Sequence, residues 1–186
     1  MIRSAHKEDV EEIIELMKVI LIDMELPVMQ KVPWKDLKSS LVKAAKQKAY
    51  RFNFTNAKVK EIDGRIVGFF YGYKGGSATD AYESIDAFLE KYNLTSDETY
   101  SDEESLDGEW YLDMLVIDES YRNKGIGSEL LKAAFVEAEK SGMTAIGLNV
   151  DKRNPRARDL YERMGFEKVD ELILSDHLYD HLQKKL

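Results

Sequence analysis

The sequence predicts an α/β (α+β) fold, one domain over residues 1–186 in which a mixed sheet carries helices on its faces. Three observations predict it. Strand-like and helix-like segments alternate through the second half of the chain, as they do when helices pack onto a sheet. Asp63-Gly64 lies between two strand-like stretches, the signature of a tight hairpin turn. A turn containing Gly125 and Gly127 joins a strong strand pattern to a strong helix pattern. With 186 residues, 44% of them hydrophobic, the chain can bury one ordinary core.

Taken in order, Val10, Ile13, Ile14, Met17, Ile20 and Leu21 recur at three- and four-residue spacing, so residues 7 to about 24 read as an amphipathic helix ended by Pro27 and Pro33. A second helix starts after Pro33, with Trp34, Leu37, Leu41, Val42 and Ala45 on one face. Tyr50 to Phe54 reads as a strand or edge segment. Val59 to Tyr73, broken at Asp63-Gly64, reads as two strands. Ala81, Tyr82, Ile85, Phe88, Leu89 and Tyr92 keep helical spacing, giving a short helix from about Asp80 to Tyr92. Thr95 to Gly108 has only Tyr100 and Leu106 as large apolar residues and reads as a mobile loop. Glu109 to Ile117 is a strand, Ile126 to Lys140 a helix ended by Ser141-Gly142, Thr144 to Val150 a strand, Pro155 to Met164 a helix stopped at Gly165, and Phe166 to Leu174 a strand.

Composition excludes several classes. There is no cysteine, which removes disulfides, thiolate metal sites and a cysteine nucleophile together. No window approaches the roughly 18 to 20 apolar residues of a membrane span, and charges interrupt the first residues where a signal peptide is apolar. A cytoplasmic protein with no membrane partner is expected. The net charge of −8 argues against a nucleic-acid partner. That charge is local: residues 77–107 hold ten acids against Lys91, while the rest has 26 basic and 25 acidic residues. The acidic insertion, about 77–108, precedes the strand from Glu109 and is a candidate lid or acceptor-guiding element; solubility is the plainer explanation.

Between that strand and the next helix runs Tyr121-Arg122-Asn123-Lys124-Gly125-Ile126-Gly127-Ser128. Glycines let backbone N–H groups converge and a ligand approach, and the helix N-terminus favours an anion. Arg122 and Lys124 add positive charge, so the turn suits a pyrophosphate; cations beside a helix N-terminus are otherwise poorly placed. The Walker Gly-Lys-Ser/Thr is absent, which disfavours a kinase, and so is the third glycine of the dinucleotide fingerprint.

Leu112 to Ile117 with the turn through Gly127 closely resembles motif A of the GCN5-related N-acetyltransferases (GNAT). Asn149-Val150 and Asn154-Pro155-Arg156-Ala157-Arg158-Asp159-Leu160-Tyr161-Glu162-Arg163-Met164-Gly165-Phe166-Glu167 resembles motif B. The resemblance covers about Leu112 to Glu167. It implies a mostly antiparallel, twisted sheet with helices on both faces, and acetyl-CoA as cosubstrate with no metal. Arg122, Asn123, Lys124, Gly125, Ile126, Gly127 and Ser128 would bind the pyrophosphate. Main-chain groups of Leu115, Val116 and Ile117 would take the pantetheine arm where this strand splays from the next. Asn154 and Arg158 would contact the cofactor, and Tyr161 falls where many members protonate the departing thiolate.

The implied reaction needs a neutral amine. A lysine-like amine of pKa ~10.4 is neutral in about one molecule in two or three thousand at pH 7, a cost of roughly 4 to 5 kcal/mol, so a proton acceptor helps. Period two puts Trp110, Leu112, Met114 and Val116 on one apolar face and Glu109, Tyr111, Asp113, Leu115 and Ile117 on the other. Asp113 and Glu109 are therefore the candidate bases beside the cofactor strand, against the plainer readings of a paired Asp113 and a solvated Glu109. Tyr161 is either the thiolate's proton donor or a packed aromatic. Without cysteine, direct transfer in a ternary complex is the economical mechanism.

The acceptor is expected to be a small cationic amine, a polyamine or a peptide amine, and a homodimer is the default for a small enzyme of this kind. The alternative function is a non-catalytic acetyl-CoA sensor. His177 and His181, four apart, have a spacing that can bind metal; two unrelated surface histidines is the preferred reading.

Overall fold

The computed structural model describes residues 1–48, 50–76, 83–94 and 104–186. Among them seven strands form one sheet: β1 Ile2–Ser4, β2 Ala57–Ile62, β3 Arg65–Lys74, β4 Trp110–Ile117, β5 Ala145–Asp151, β6 Glu167–Leu174 and β7 His177–Lys185. Their spatial order is β1-β2-β3-β4-β5-β7-β6. Every pairing is antiparallel except β4 with β5, which is parallel and limited to Trp110 opposite Ile146 and Tyr111 opposite Gly147. Beyond Tyr111 the two strands part, and the opening between them becomes the site.

Two apolar layers cover the sheet. On one face pack α1 Val10–Asp23, α2 Pro27–Lys31, α3 Trp34–Ala45 and α4 Glu83–Leu89, through residues such as Ile13, Met17, Leu41, Ile85 and Leu89. On the other lie α5 Ile126–Lys140 and α6 Pro155–Arg163, through Leu130, Leu131, Ala134 and Tyr161. The helices expected from periodicity at Val10, Pro33, Ile126 and Pro155 all form, because each carries an apolar stripe at helical spacing that the sheet can cover. The hairpin turns at Asp63 and Gly64, both at positive φ (51° and 75°), the two left-handed residues that a type I′ turn needs.

Three expectations are corrected. Residues 50–54 are not a strand: Tyr50 and Phe52 are fully buried in a turn that carries Arg51 beneath the sheet. The strand β7 follows a second turn at positive φ, Ser175-Asp176, and inserts between β5 and β6, so His177 and His181 are buried rather than on the surface. The apolar face of β4 is divided. A bulge falls where Tyr71 pairs with Met114 and Gly72 with Leu112, leaving Asp113 as the extra residue; Trp110 and Leu112 then pack with α5, whereas Met114 and Val116 pack with α1. The helix expected within the acidic stretch forms where it is described, as α4 Glu83–Leu89, and Ile85, Leu89 and Leu94 are buried in the α1 layer. The expected helix start at Asp80 and most of the expected loop, 95–103, lie outside the described residues.

Candidate active site

A cleft of about 1020 Å³ opens where β4 and β5 diverge. One end is the turn before α5. Gly125 takes a left-handed φ of 81°, which glycine adopts without strain, and no side chain caps the helix start. The first N–H groups of α5 therefore have no intrahelical acceptor and face the cleft from Ile126, Gly127 and Ser128. This fits a pyrophosphate. Arg122 lines the same end while its Nε donates to the Ile117 carbonyl at 3.2 Å, and Arg156 donates to Asn123 Oδ1 beside it. The edge of β4 that has left β5 runs along the wall as Leu115, Val116 and Ile117, with backbone groups suited to an extended amide-bearing arm.

Placed against expectation, Leu115, Val116, Ile117, Arg122, Asn123, Gly125, Ile126, Gly127, Ser128, Asn154 and Tyr161 line this cleft. Lys124 and Arg158 do not. The Lys124 ammonium donates to the Ser120 carbonyl at 3.0 Å and rests over the Tyr121 ring; Arg158 pairs with Glu162 at 2.8 Å and with Asp180. The Asn154 side chain accepts from Ala157 N at 3.1 Å, so it also caps α6. Tyr161 is buried against Phe166, and burial pushes its phenol up to about 12.

The other half of the cleft holds a buried polar network. Arg51 Nη2 lies 3.1 Å from Asp113 Oδ2 and donates to Glu104 Oε2 at 3.2 Å, so one guanidinium serves two carboxylates. Tyr73 donates its hydroxyl to Asp113. Tyr111 donates to Glu104 Oε2 at 3.3 Å, and Asn149 Nδ2 donates both to Tyr111 Oη at 2.9 Å and to the Glu104 carbonyl at 2.8 Å. His181 continues the chain, with Nδ1 2.6 Å from Asn149 Oδ1 and Nε2 3.1 Å from Glu109 Oε2. Burial raises the carboxyls of Glu104 and Asp113, partly offset by Arg51; Glu104 reaches about 7.

Glu109 is fully buried at 0% exposure and lies off the cleft. Leu106 N–H donates to its Oε1 at 2.9 Å and Gln183 Nε2 to its Oε2 at 3.0 Å. The carboxylate sits over Gly147, where any Cβ would overlap it. Sequence reasoning missed Arg51, Glu104 and Tyr73. Arg51 gave one signal, a cation inside the aromatic run Tyr50 to Phe54; Glu104 was one acid among ten.

His177 Nε2 lies 2.9 Å from Glu25 Oε2 and Nδ1 3.1 Å from Asp151 Oδ2, joining β7 to the end of α1 and β5. Four residues along a strand put His177 and His181 about 13 Å apart, so they are not one ligand pair. Among the described residues no helix is long and apolar enough to cross a membrane.

The model of the acetyltransferase (GNAT) family matches residues 26–166. A crystal structure described as an acetyltransferase is 40% identical, with a TM-score of 0.85 over 100% of this chain and 98% of that one. An N-acetyltransferase from Staphylococcus aureus Mu50 is 25% identical, with a TM-score of 0.83 over 98% and 99% of the two chains. Spermine/spermidine N(1)-acetyltransferase of Bacillus subtilis (strain 168) is 39% identical over 72 residues, 38% of this chain. The matched part spans 47% of that curated relative's length.

Proposed function

The chain belongs to the acetyltransferase (GNAT) family, and on that premise we propose that it moves an acetyl group from acetyl-CoA directly to a primary amine in a ternary complex. One observation carries the reading: a single cleft has an uncapped helix N-terminus at one end and buried carboxylates at the other. The first suits an anionic pyrophosphate and the second a cationic amine.

In this reading the Ile126, Gly127 and Ser128 amides and Arg122 hold the pyrophosphate. The parted edge of β4 aligns the pantetheine arm, which brings the thioester toward the carboxylate pair Asp113 and Glu104. A carboxylate there accepts a proton as the amine becomes nucleophilic, and Glu109 acts from behind by fixing His181 and Gln183. Tyr161, which burial keeps protonated at neutral pH, supplies a proton to the thiolate that leaves. No cysteine offers a covalent relay.

A polyamine is the leading acceptor class and a peptide amine the next. Support comes from the ten acids of residues 77–107 and from the Bacillus subtilis relative, which is named for spermine and spermidine. The test is calorimetric titration with acetyl-CoA, followed by thiol release against spermidine, lysine-containing peptides and peptide amino termini at low and high salt. Micromolar acetyl-CoA binding and salt-sensitive turnover of one amine class are expected. Binding with no turnover on any amine would favour the sensor, and label exchange between acetyl-CoA and CoA without an amine would overturn direct transfer.

A further inference from the structure

Three carboxylates approach the acceptor half of the cleft, and their surroundings differ. Glu109 has both oxygens engaged and does not reach the cleft. Asp113 lines it, but its Oδ2 is held by Arg51 at 3.1 Å and by the Tyr73 hydroxyl. Glu104 also lines it, with only long contacts on its carboxylate, 3.2 and 3.3 Å to Arg51 and 3.3 Å to Tyr111. Its backbone is fixed by Asn149.

Charge separates the last two. Arg51, Glu104 and Asp113 are all buried, with side-chain exposures of 5%, 9% and 4%. With both acids ionised the cluster carries one uncompensated negative charge away from water, so the less tightly held carboxylate is the one that takes up and releases a proton. Among the described residues, the phenols of Tyr111 on β4, Tyr73 on β3 and Tyr179 on β7 also face Glu104, and none of them brings a compensating cation.

Building on the acetyl-transfer reading, we propose that Glu104, delivered to the cleft by the end of the acidic segment, is the proton acceptor for the incoming ammonium, and that Arg51 and Asp113 position it. The ammonium gives one proton to the Glu104 carboxylate. The freed nitrogen lone pair forms a C–N bond to the thioester carbonyl carbon and the C–S bond breaks. The departing sulfur takes a proton from Tyr161, and the nitrogen's second proton passes to the resulting Tyr161 phenolate, which restores the phenol. Glu104 returns its proton to water at the cleft mouth. The acidic segment then belongs to the chemistry through Glu104, whatever its other charges do.

The test compares wild type and E104Q with spermidine from pH 6 to 10, alongside acetyl-CoA affinity and thermal unfolding. Wild-type kcat should rise through about pH 7 as Glu104 loses its proton. E104Q should bind acetyl-CoA normally, lose that rise, and turn over about 10²- to 10⁴-fold more slowly at pH 7. Near the amine's own pKa of ~10 it should recover toward wild type, because the substrate then arrives neutral. A merely structural role would show no such recovery. E104D, which keeps the acid, should keep the rise with a lower kcat, so a folding defect in E104Q does not shield the assignment. Active wild type with an E104Q profile that is unchanged, or reduced equally at every pH, overturns the role of Glu104. Wild type that acetylates no amine overturns this role and the acetyl-transfer reading together.

Discussion

Replacing Arg51 with methionine tests the charge cluster directly. The substitution keeps a long side chain against the Phe52 ring, 4.7 Å from the guanidinium carbon, and removes the cation shared by Glu104 and Asp113. Deleting one partner of a buried ion pair costs about 3 to 5 kcal/mol, since the remaining charge loses its compensation. For a domain of this size that lowers the melting temperature by roughly 6 to 20 °C. The cost depends on pH. Glu104 binds its proton more tightly folded, at about 7 against an ordinary 4.5, so the folded state holds more protons between those values. The contribution of Glu104 to stability is then fully present below about 4.5 and is lost as pH rises through 7, about 3.5 kcal/mol between 4.5 and 7 at ~1.4 kcal/mol per pH unit. Without Arg51 both carboxyls should be raised further and the fall should steepen. Urea unfolding of both proteins at pH 5 and pH 8 reads this out. The expected gap between them is small at pH 5 and about 3 to 5 kcal/mol at pH 8. An equal gap at the two pH values, or one below about 1 kcal/mol at pH 8, would refute the uncompensated pair as the source.

Gly147→Ala should destabilise by more than about 3 kcal/mol, because the new methyl overlaps the Glu109 carboxylate between two central strands and breaks its bonds to His181 and Gln183; a melting temperature within a degree of wild type would contradict that packing. Tyr161→Phe should leave acetyl-CoA affinity intact and lower kcat about 10²-fold; a wild-type rate would leave the phenol only its contact with Phe166. Exchanging Asp97, Glu98, Asp102 and Glu103 for their amides should raise KM for spermidine at low salt and leave it unchanged at high salt. Unaltered KM at low salt would reduce those charges to a solubility role.

Ile85, Leu89 and Leu94 belong to the α1 layer and Glu104 to the cleft, so neutralising single charges is the informative perturbation and deletion is not.

Elements whose signals are local were legible from neighbouring residues alone. The hairpin at Asp63-Gly64, the helix from Ile126 and the anion-suited turn before it each follow from a few neighbouring residues: positive φ, an apolar stripe, and helix amides without acceptors. The split of β4 was not legible, because Trp110, Leu112, Met114 and Val116 are all apolar and a bulge changes which face each occupies without changing that pattern. Nor was β7, whose His177, Asp180 and His181 read as a polar surface until β5 and β6 close on both sides and supply their partners. The acceptor half was least legible of all. Arg51 meets Glu104 across 53 residues of chain and also Asp113 on β4, so no spacing rule could pair them. Only tertiary structure could set two carboxylates around one buried guanidinium, because that choice depends on which charges are taken out of water together.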